Sequence, residues 1–158
     1  GGTKSNFQGS GASYTFDVTA AGQNFVSVHV PQGVAADPAG NPNAVSNTLT
    51  YEYDTVHPTS TLSLDSPYYM KDTPFLFSAN FSEPMFQLTG GDFSVSNGAA
   101  AVATGTDRDV DFGLELTTVT EGPVTVSLNA SKAFDEAGNP NVESNTIAFV
   151  YDSTRPVV

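Results

Sequence analysis

The feature that most constrains this chain is a loop-then-strand stretch that occurs twice. Residues 37–54 read D-P-A-G-N-P-N-A-V-S-N-T-L-T-Y-E-Y-D and residues 135–152 read D-E-A-G-N-P-N-V-E-S-N-T-I-A-F-V-Y-D, an offset of 98 residues with 11 of 18 positions identical. Self-similarity at a fixed period marks a domain built to stand in series. The first half of each copy crowds Asp, Gly, Asn and Pro together, residues that tolerate or fix the backbone angles of turns. In the second half Leu49, Tyr51 and Tyr53 alternate with Thr50 and Glu52, and Ile147, Phe149 and Tyr151 repeat the pattern. A period of two puts one strand face in a core and the other in water.

The same alternation fills the chain between the copies. Leu62 and Leu64 mark a strand A. Phe75, Phe77, Ala79 and Phe81 mark B, Phe93 and Val95 mark C, and Val102 falls in D. Phe112, Leu114 and Leu116 mark E, Val124, Val126 and Leu128 mark F, and Ile147 to Tyr151 mark G. Asn97-Gly98 reads as a two-residue hairpin turn between C and D. Seven short strands spaced by turn signals predict an all-β fold, an immunoglobulin-like sandwich. Its predicted core includes Phe77, Phe81, Leu114, Leu116, Val126, Leu128, Ile147 and Phe149.

Shifted by the same offset, Phe16 and Val18 match Leu114 and Leu116, and Val26, Val28 and Val30 match Val124, Val126 and Leu128. The expected organisation is tandem: residues 1–55 as the C-terminal part of a first repeat, strands D to G only, and residues 56–158 as a complete second repeat with the start of the next linker. The apolar face of Phe16, Val18, Val26, Val28, Leu49 and Tyr51 then needs a cover. Either the chain is a piece of a longer polypeptide, the favoured expectation, or another segment supplies the strands. The linker Asp54-Thr-Val-His-Pro58 is matched by Asp152-Ser-Thr-Arg-Pro156. Its brevity and its fixed proline predict a stiff array.

Charge and motifs exclude several function classes. The net charge is −12 with only five Lys and Arg, which disfavours nucleic acid and anionic membranes as partners. Without cysteine there is no disulfide framework and no thiolate metal site. No apolar run reaches the ~18 residues of a transmembrane helix. The two histidines, His29 and His57, stand outside any recognisable nucleophile–base spacing, and no phosphate-binding loop, zinc-protease or hydrolase motif occurs. The chain reads as a non-enzyme. Asn80-Phe-Ser82 and Asn129-Ala-Ser131 are sequons of the kind expected by chance in such a composition.

F-S-E-P-M at 81–85, G-D-F-S-V-S-N-G at 91–98, D-x-A-G-N at 37–41 and 135–139, and Y-D-x-x-x-P at 53–58 and 151–156 together resemble the bacterial immunoglobulin-like (Big) repeats of large surface adhesins. The resemblance covers the whole chain. It implies a structural repeat of an extracellular fibre or cell-surface adhesin, standing beside neighbouring repeats of its own polypeptide. It also implies Ca²⁺ as a ligand, since acidic residues at the junctions of some such arrays bind it. In a head-to-tail immunoglobulin array the exit of strand G meets the B–C, D–E and F–G loops of the next domain. Asp54 would thus meet Glu83, Asp107, Asp135 and Asn139, oxygen donors suited to Ca²⁺, with Asp152 and Asp37 in the same role at the junctions after and before. The plainer reading is that Asp37 and Asp135 hold turns, and the two roles are compatible. The rival function is a recognition module for a glycan or protein partner. Its best surface is Tyr68-Tyr69-Met70 in the A–B loop, unless those tyrosines fold over the sandwich end.

Overall fold

The computed structural model describes residues 1–64, 68–118 and 120–157. It divides into two compact units, Gly1–Thr55 and Val56–Val158.

The second unit holds β5 (Ser60–Ser63), β6 (Tyr69–Met70), β7 (Phe75–Met85), β8 (Phe93–Val95), β9 (Gly98–Thr104), β10 (Asp109–Thr118), β11 (Gly122–Leu128) and β12 (Ile147–Tyr151). They form two four-stranded sheets, ordered β5-β7-β10-β9 and β6-β12-β11-β8. Lettered in chain order this is A-B-E-D facing A′-G-F-C, the immunoglobulin-like arrangement. Register follows the apolar pattern: Leu114 pairs with Phe77 and Leu116 with Phe75 in one sheet, and Val124 with Phe149 in the other. These inward residues fill the space between the sheets. Phe75 meets Phe149 edge-on at 5.2 Å and Phe77 meets Phe93 at 5.9 Å, both contacts joining one sheet to the other. Of the predicted core, Phe77, Phe81, Leu114, Leu116, Val126, Leu128 and Phe149 are buried, and Ile147 packs partly buried at the margin.

Two local expectations change. Ser96 and Asn97 do form a tight turn, but β8 pairs with β11 and β9 with β10, so the chain crosses between sheets there instead of forming a hairpin. Tertiary contacts decide this. Asn97 Oδ1 accepts from Thr120 N at 3.1 Å and from Thr120 Oγ1 at 3.0 Å, and Gly98 (φ +148°) lies where a Cβ would come within 2.2 Å of Thr117 O. Tyr69–Met70 is also a strand, pairing in parallel with β12, rather than part of a loop. Met70 points inward and is buried, whereas Tyr68 and Tyr69 are 58% and 68% exposed and meet edge-on at 5.2 Å. They do not fold over the sandwich.

The first unit holds β1 (Gly2–Ser10), β2 (Ser13–Ala20), β3 (Asn24–Val28) and β4 (Leu49–Tyr53), paired as β1-β2 and β3-β4. The β3–β4 register, Asn24 opposite Tyr53, is the β11–β12 register, Gly122 opposite Tyr151, displaced by the repeat length on both strands. Residues 1–55 contain no counterpart of β5, β7 or β8. The effect on burial is large: Tyr51 is 66% exposed where its equivalent Phe149 is 1%, and Val18 is 37% exposed where Leu116 is 0%.

The two units should therefore respond differently to the same truncation. Phe149→Ala is expected to destabilise the second unit by about 3–5 kcal/mol, because it opens a core cavity. Tyr51→Ala at the equivalent position should cost the first unit about 0.5 kcal/mol or less. Equilibrium denaturation followed by backbone amide signals of each unit measures both.

Candidate functional site

The repeated loop is a hydrogen-bonded unit before it is anything else. In the second copy Asp135 N donates to Asn139 O at 3.1 Å and Gly138 N to Asp135 O at 3.2 Å. Gly138 has φ +90°, as Gly40 has +88°, a region open to glycine at little cost. Asp135 Oδ1 accepts from Asn139 N and Oδ2 from Asn139 Nδ2, each at 2.8 Å. Asp37 does the same with Asn41 at 2.9 Å, and its Oδ1 also takes Ala39 N at 2.9 Å. These bonds, first the Asn41 amide and then the backbone N–H groups, hold the Asp37 carboxyl below its ordinary 3.8. Both aspartates thus serve the turn, with Asp37 exposed and Asp135 buried.

The residue that closes the loop is Asn141, which sequence reasoning passed over in favour of Asn139. It is 2% exposed. Its Oδ1 accepts from Lys132 N at 2.8 Å and Ala133 N at 2.9 Å, and its Nδ2 donates to Asn129 O at 2.9 Å and Val142 O at 2.8 Å. All four hydrogen-bonding positions of the amide are used on the backbone. Asn43 repeats the role through Ala35 N, Pro31 O and Ala44 O. The signal was present, since Asn is the last residue of G-N-P-N in both copies. Asn145 then ties the loop to β5, accepting from Leu62 N at 2.7 Å and donating to Leu62 O at 3.0 Å. His57 Nδ1 donates to Pro140 O at 2.7 Å, and Val142 N donates to the carbonyl of the fully buried Pro58 at 2.9 Å.

In the second unit the structure brings Glu83 and Asp135 together, with carboxylate oxygens within 4.8 Å of each other. Two carboxylates this close and partly buried repel by about 1–4 kcal/mol. Asn139 adjoins them through its bonds to Asp135. Asp107 is not in that group, and its Oδ1 accepts from Gln87 N at 2.9 Å. Arg108, the base nearest these acids in sequence, pairs with Glu136 at 2.9 Å and lies 5.5 Å over the Phe86 ring. In the first unit Asp54 Oδ1 accepts from Gln23 Nε2 at 2.6 Å. Asp152 is exposed, and its Oδ1 accepts from Thr154 N at 3.0 Å.

Sequence reasoning also missed a clamp on the linkers. Gln23 Oε1 accepts from Thr55 N at 2.7 Å and Thr55 Oγ1 at 2.9 Å. One repeat later Glu121 Oε1 accepts from Ser153 N at 3.0 Å and Ser153 Oγ at 2.6 Å, and Thr154 Oγ1 adds a third donor. The hydroxyls of Ser153 and then Thr154 hold the Glu121 carboxyl below its ordinary 4.5. The recurrence of Gln and Glu at the same offset was the only sequence trace of it.

The family described as bacterial Ig-like domain matches residues 54–151. The chain belongs to this family. The matched stretch is 98 residues long (54 through 151), the length of the internal offset. Among curated proteins, none matches the chain. Domains of this family are typically non-catalytic.

Asn141→Ala should cost the second unit about 3 kcal/mol or more, since it strands four backbone groups at a buried site. Asn43→Ala should cost less than half of that, because water reaches the exposed first-unit loop; urea denaturation of each variant measures the difference. The Glu121 clamp carries a pH signature. Its folded pKa lies below the unfolded one, so its contribution is complete above 4.5 and is lost as pH falls through the lower folded value. Glu121→Gln should abolish the acid-side loss of linker order, read by carboxyl and Ser153 amide shifts in an NMR titration.

Proposed function

We propose that the chain is a non-catalytic structural repeat of an extracellular fibre or cell-surface adhesin, a stiff spacer with Ca²⁺ at its domain junctions. The observation that carries this reading is the coincidence of one domain with one sequence period, joined by a linker of only a few residues. Clamps at Gln23 and Glu121 order the linker's first residues, and Pro58 anchors its end. A linker ordered at both ends transmits orientation from one repeat to the next.

The calcium reading rests on Glu83 and Asp135, whose repulsion a divalent cation would remove, and on chain connectivity. Three residues separate Asp54 from Pro58, so Asp54 can reach only the loop end where Pro58 is held. Asn139 and Asp107 would complete an oxygen shell, and Asp152 and Asp37 would act at the junctions on either side. At the millimolar Ca²⁺ of extracellular fluids a site with Kd near ~10⁻⁴ M, usual for extracellular modules, is mostly filled. A second reading, recognition of a glycan or protein partner, is favoured by one observation: the exposed Tyr68 and Tyr69, whose rings meet edge-on.

Melting and small-angle scattering in Ca²⁺ and in chelator test the calcium reading. A bound ion should stabilise the junction by about 2.7 kcal/mol at a hundredfold excess over Kd, and should lengthen and narrow the scattering envelope. Glu83→Gln combined with Asp54→Asn should erase both responses. If parent and variant respond alike, the calcium reading is wrong and packing at Pro58 alone sets the junction.

A further inference from the structure

We propose that Asn97 is a covalent modification site that Thr120 holds in check: once released, its side-chain amide cyclises onto the nitrogen of Gly98 and ends as aspartate or isoaspartate. Separate structural demands fix the two residues of the pair. Asn97 lies half-buried where the chain leaves β8 in one sheet for β9 in the other. Its Oδ1 accepts from Thr120 N at 3.1 Å and from Thr120 Oγ1 at 3.0 Å, and its Nδ2 donates to Thr120 O at 2.5 Å. A side-chain amide can make this set, whereas a carboxylate has no donor for the Thr120 carbonyl. Gly98 has φ +148°, and a Cβ there would stand 2.2 Å from Thr117 O and 3.0 Å from Thr117 C. The fold thus calls for Asn followed by Gly here, and that dipeptide occurs at no other place in the chain.

The same pair is chemically the least protected. With no side chain on Gly98, nothing shields its backbone nitrogen from the Asn97 Cγ. In the first step a bond forms between Gly98 N and Cγ, and the Cγ–Nδ2 bond breaks. Nδ2 leaves as ammonia with the proton that Gly98 N gives up. Water then opens the cyclic imide. Addition at Cγ breaks the new N–Cγ bond and leaves aspartate. Addition at the Asn97 backbone carbonyl breaks the peptide C–N bond and leaves isoaspartate, with the chain continuing through Cγ. The clamp opposes the first step, because Cγ cannot turn toward Gly98 N while Oδ1 and Nδ2 are both tied to Thr120. Neither product restores the clamp. A carboxylate at 97 sets a negative oxygen against Thr120 O, where Nδ2 had donated, and isoaspartate adds a backbone carbon beside a glycine that has no room. The bonds of Ser96 with Thr125, N to O at 3.1 Å and Oγ accepting from N at 2.9 Å, end one residue short of the change. Modification therefore loosens the crossing from β8 to β9 and leaves the rest of each sheet paired.

Incubation of the full chain at mildly alkaline pH, followed by peptide mass spectrometry and isoaspartate methyltransferase labelling, reads the conversion at Asn97. Each hydrogen bond that must first break slows it about fivefold. Conversion in native buffer should therefore run at least about tenfold slower than in urea. Thr120→Val removes the hydroxyl bond alone and should speed conversion about fivefold, with the β11–β12 amides still protected from exchange. Thr120→Ser keeps the hydroxyl and should match the parent. Asn97→Asp, which imitates one product, should raise amide exchange at residues 96–99 about tenfold and leave the β7–β10 amides unchanged. Conversion as fast in native buffer as in urea would overturn the proposal. So would Thr120→Val reacting at the parent's rate, or Asn97→Asp with unaltered exchange. If Thr120→Val loses the β11–β12 protection, Thr120→Ser decides: the parent's rate supports the clamp, and a faster one overturns it.

Discussion

The second unit depends on burying the inward face of β7 against the facing sheet. Phe75, Phe77, Ala79 and Phe81 all point inward, and β7 is hydrogen-bonded on both sides, to β5 and β10. Burial of each large side chain contributes roughly 1.5–3 kcal/mol, so this one strand supplies a sizeable part of the core free energy. The edge-on contacts with Phe149 and Phe93 also fix how the two sheets face each other. The first unit shows the converse. It has the same hairpin register in β3–β4 and the same polar loop, yet its apolar residues stand open to water where no β7-like strand is present. Local pairing and loop closure are thus set within the last four strands, whereas the dry core is not.

The polar counterpart of β7 is the loop closed by Asn141. A loop that crosses the end of a sandwich carries backbone groups that cannot reach strand partners, and burying them unsatisfied would be costly. One side-chain amide satisfies four of them, and Asp135 satisfies more. The loop then becomes a rigid platform. It holds Pro58 and His57 from the incoming linker, while Glu121 holds the outgoing one. The backbone is thus held by side chains at both ends of the unit. The acids sit on this platform as a consequence: Asp135 is recruited by the turn, and Glu83 on β7 is carried to within 4.8 Å of it.

The sequence by itself determined the 98-residue offset, seven of the eight strands of the second unit and its predicted inward-facing set, because alternation and turn chemistry are local. It determined that Asp37 and Asp135 begin turns, since Asp followed by Gly-Asn is itself a turn signal. Tertiary structure decided the rest. Whether Asn97-Gly98 joins neighbours in one sheet or crosses to the other depends on Thr120 and Thr117, distant in sequence. Whether Tyr69–Met70 is loop or strand depends on the free edge of β12. The primacy of Asn141 over Asn139 depends on burial, which two asparagines two positions apart in one motif do not reveal. The same holds for Glu83 and Asp135: residues 52 positions apart become neighbours only when β7 and the β11–β12 loop share one end of the sandwich.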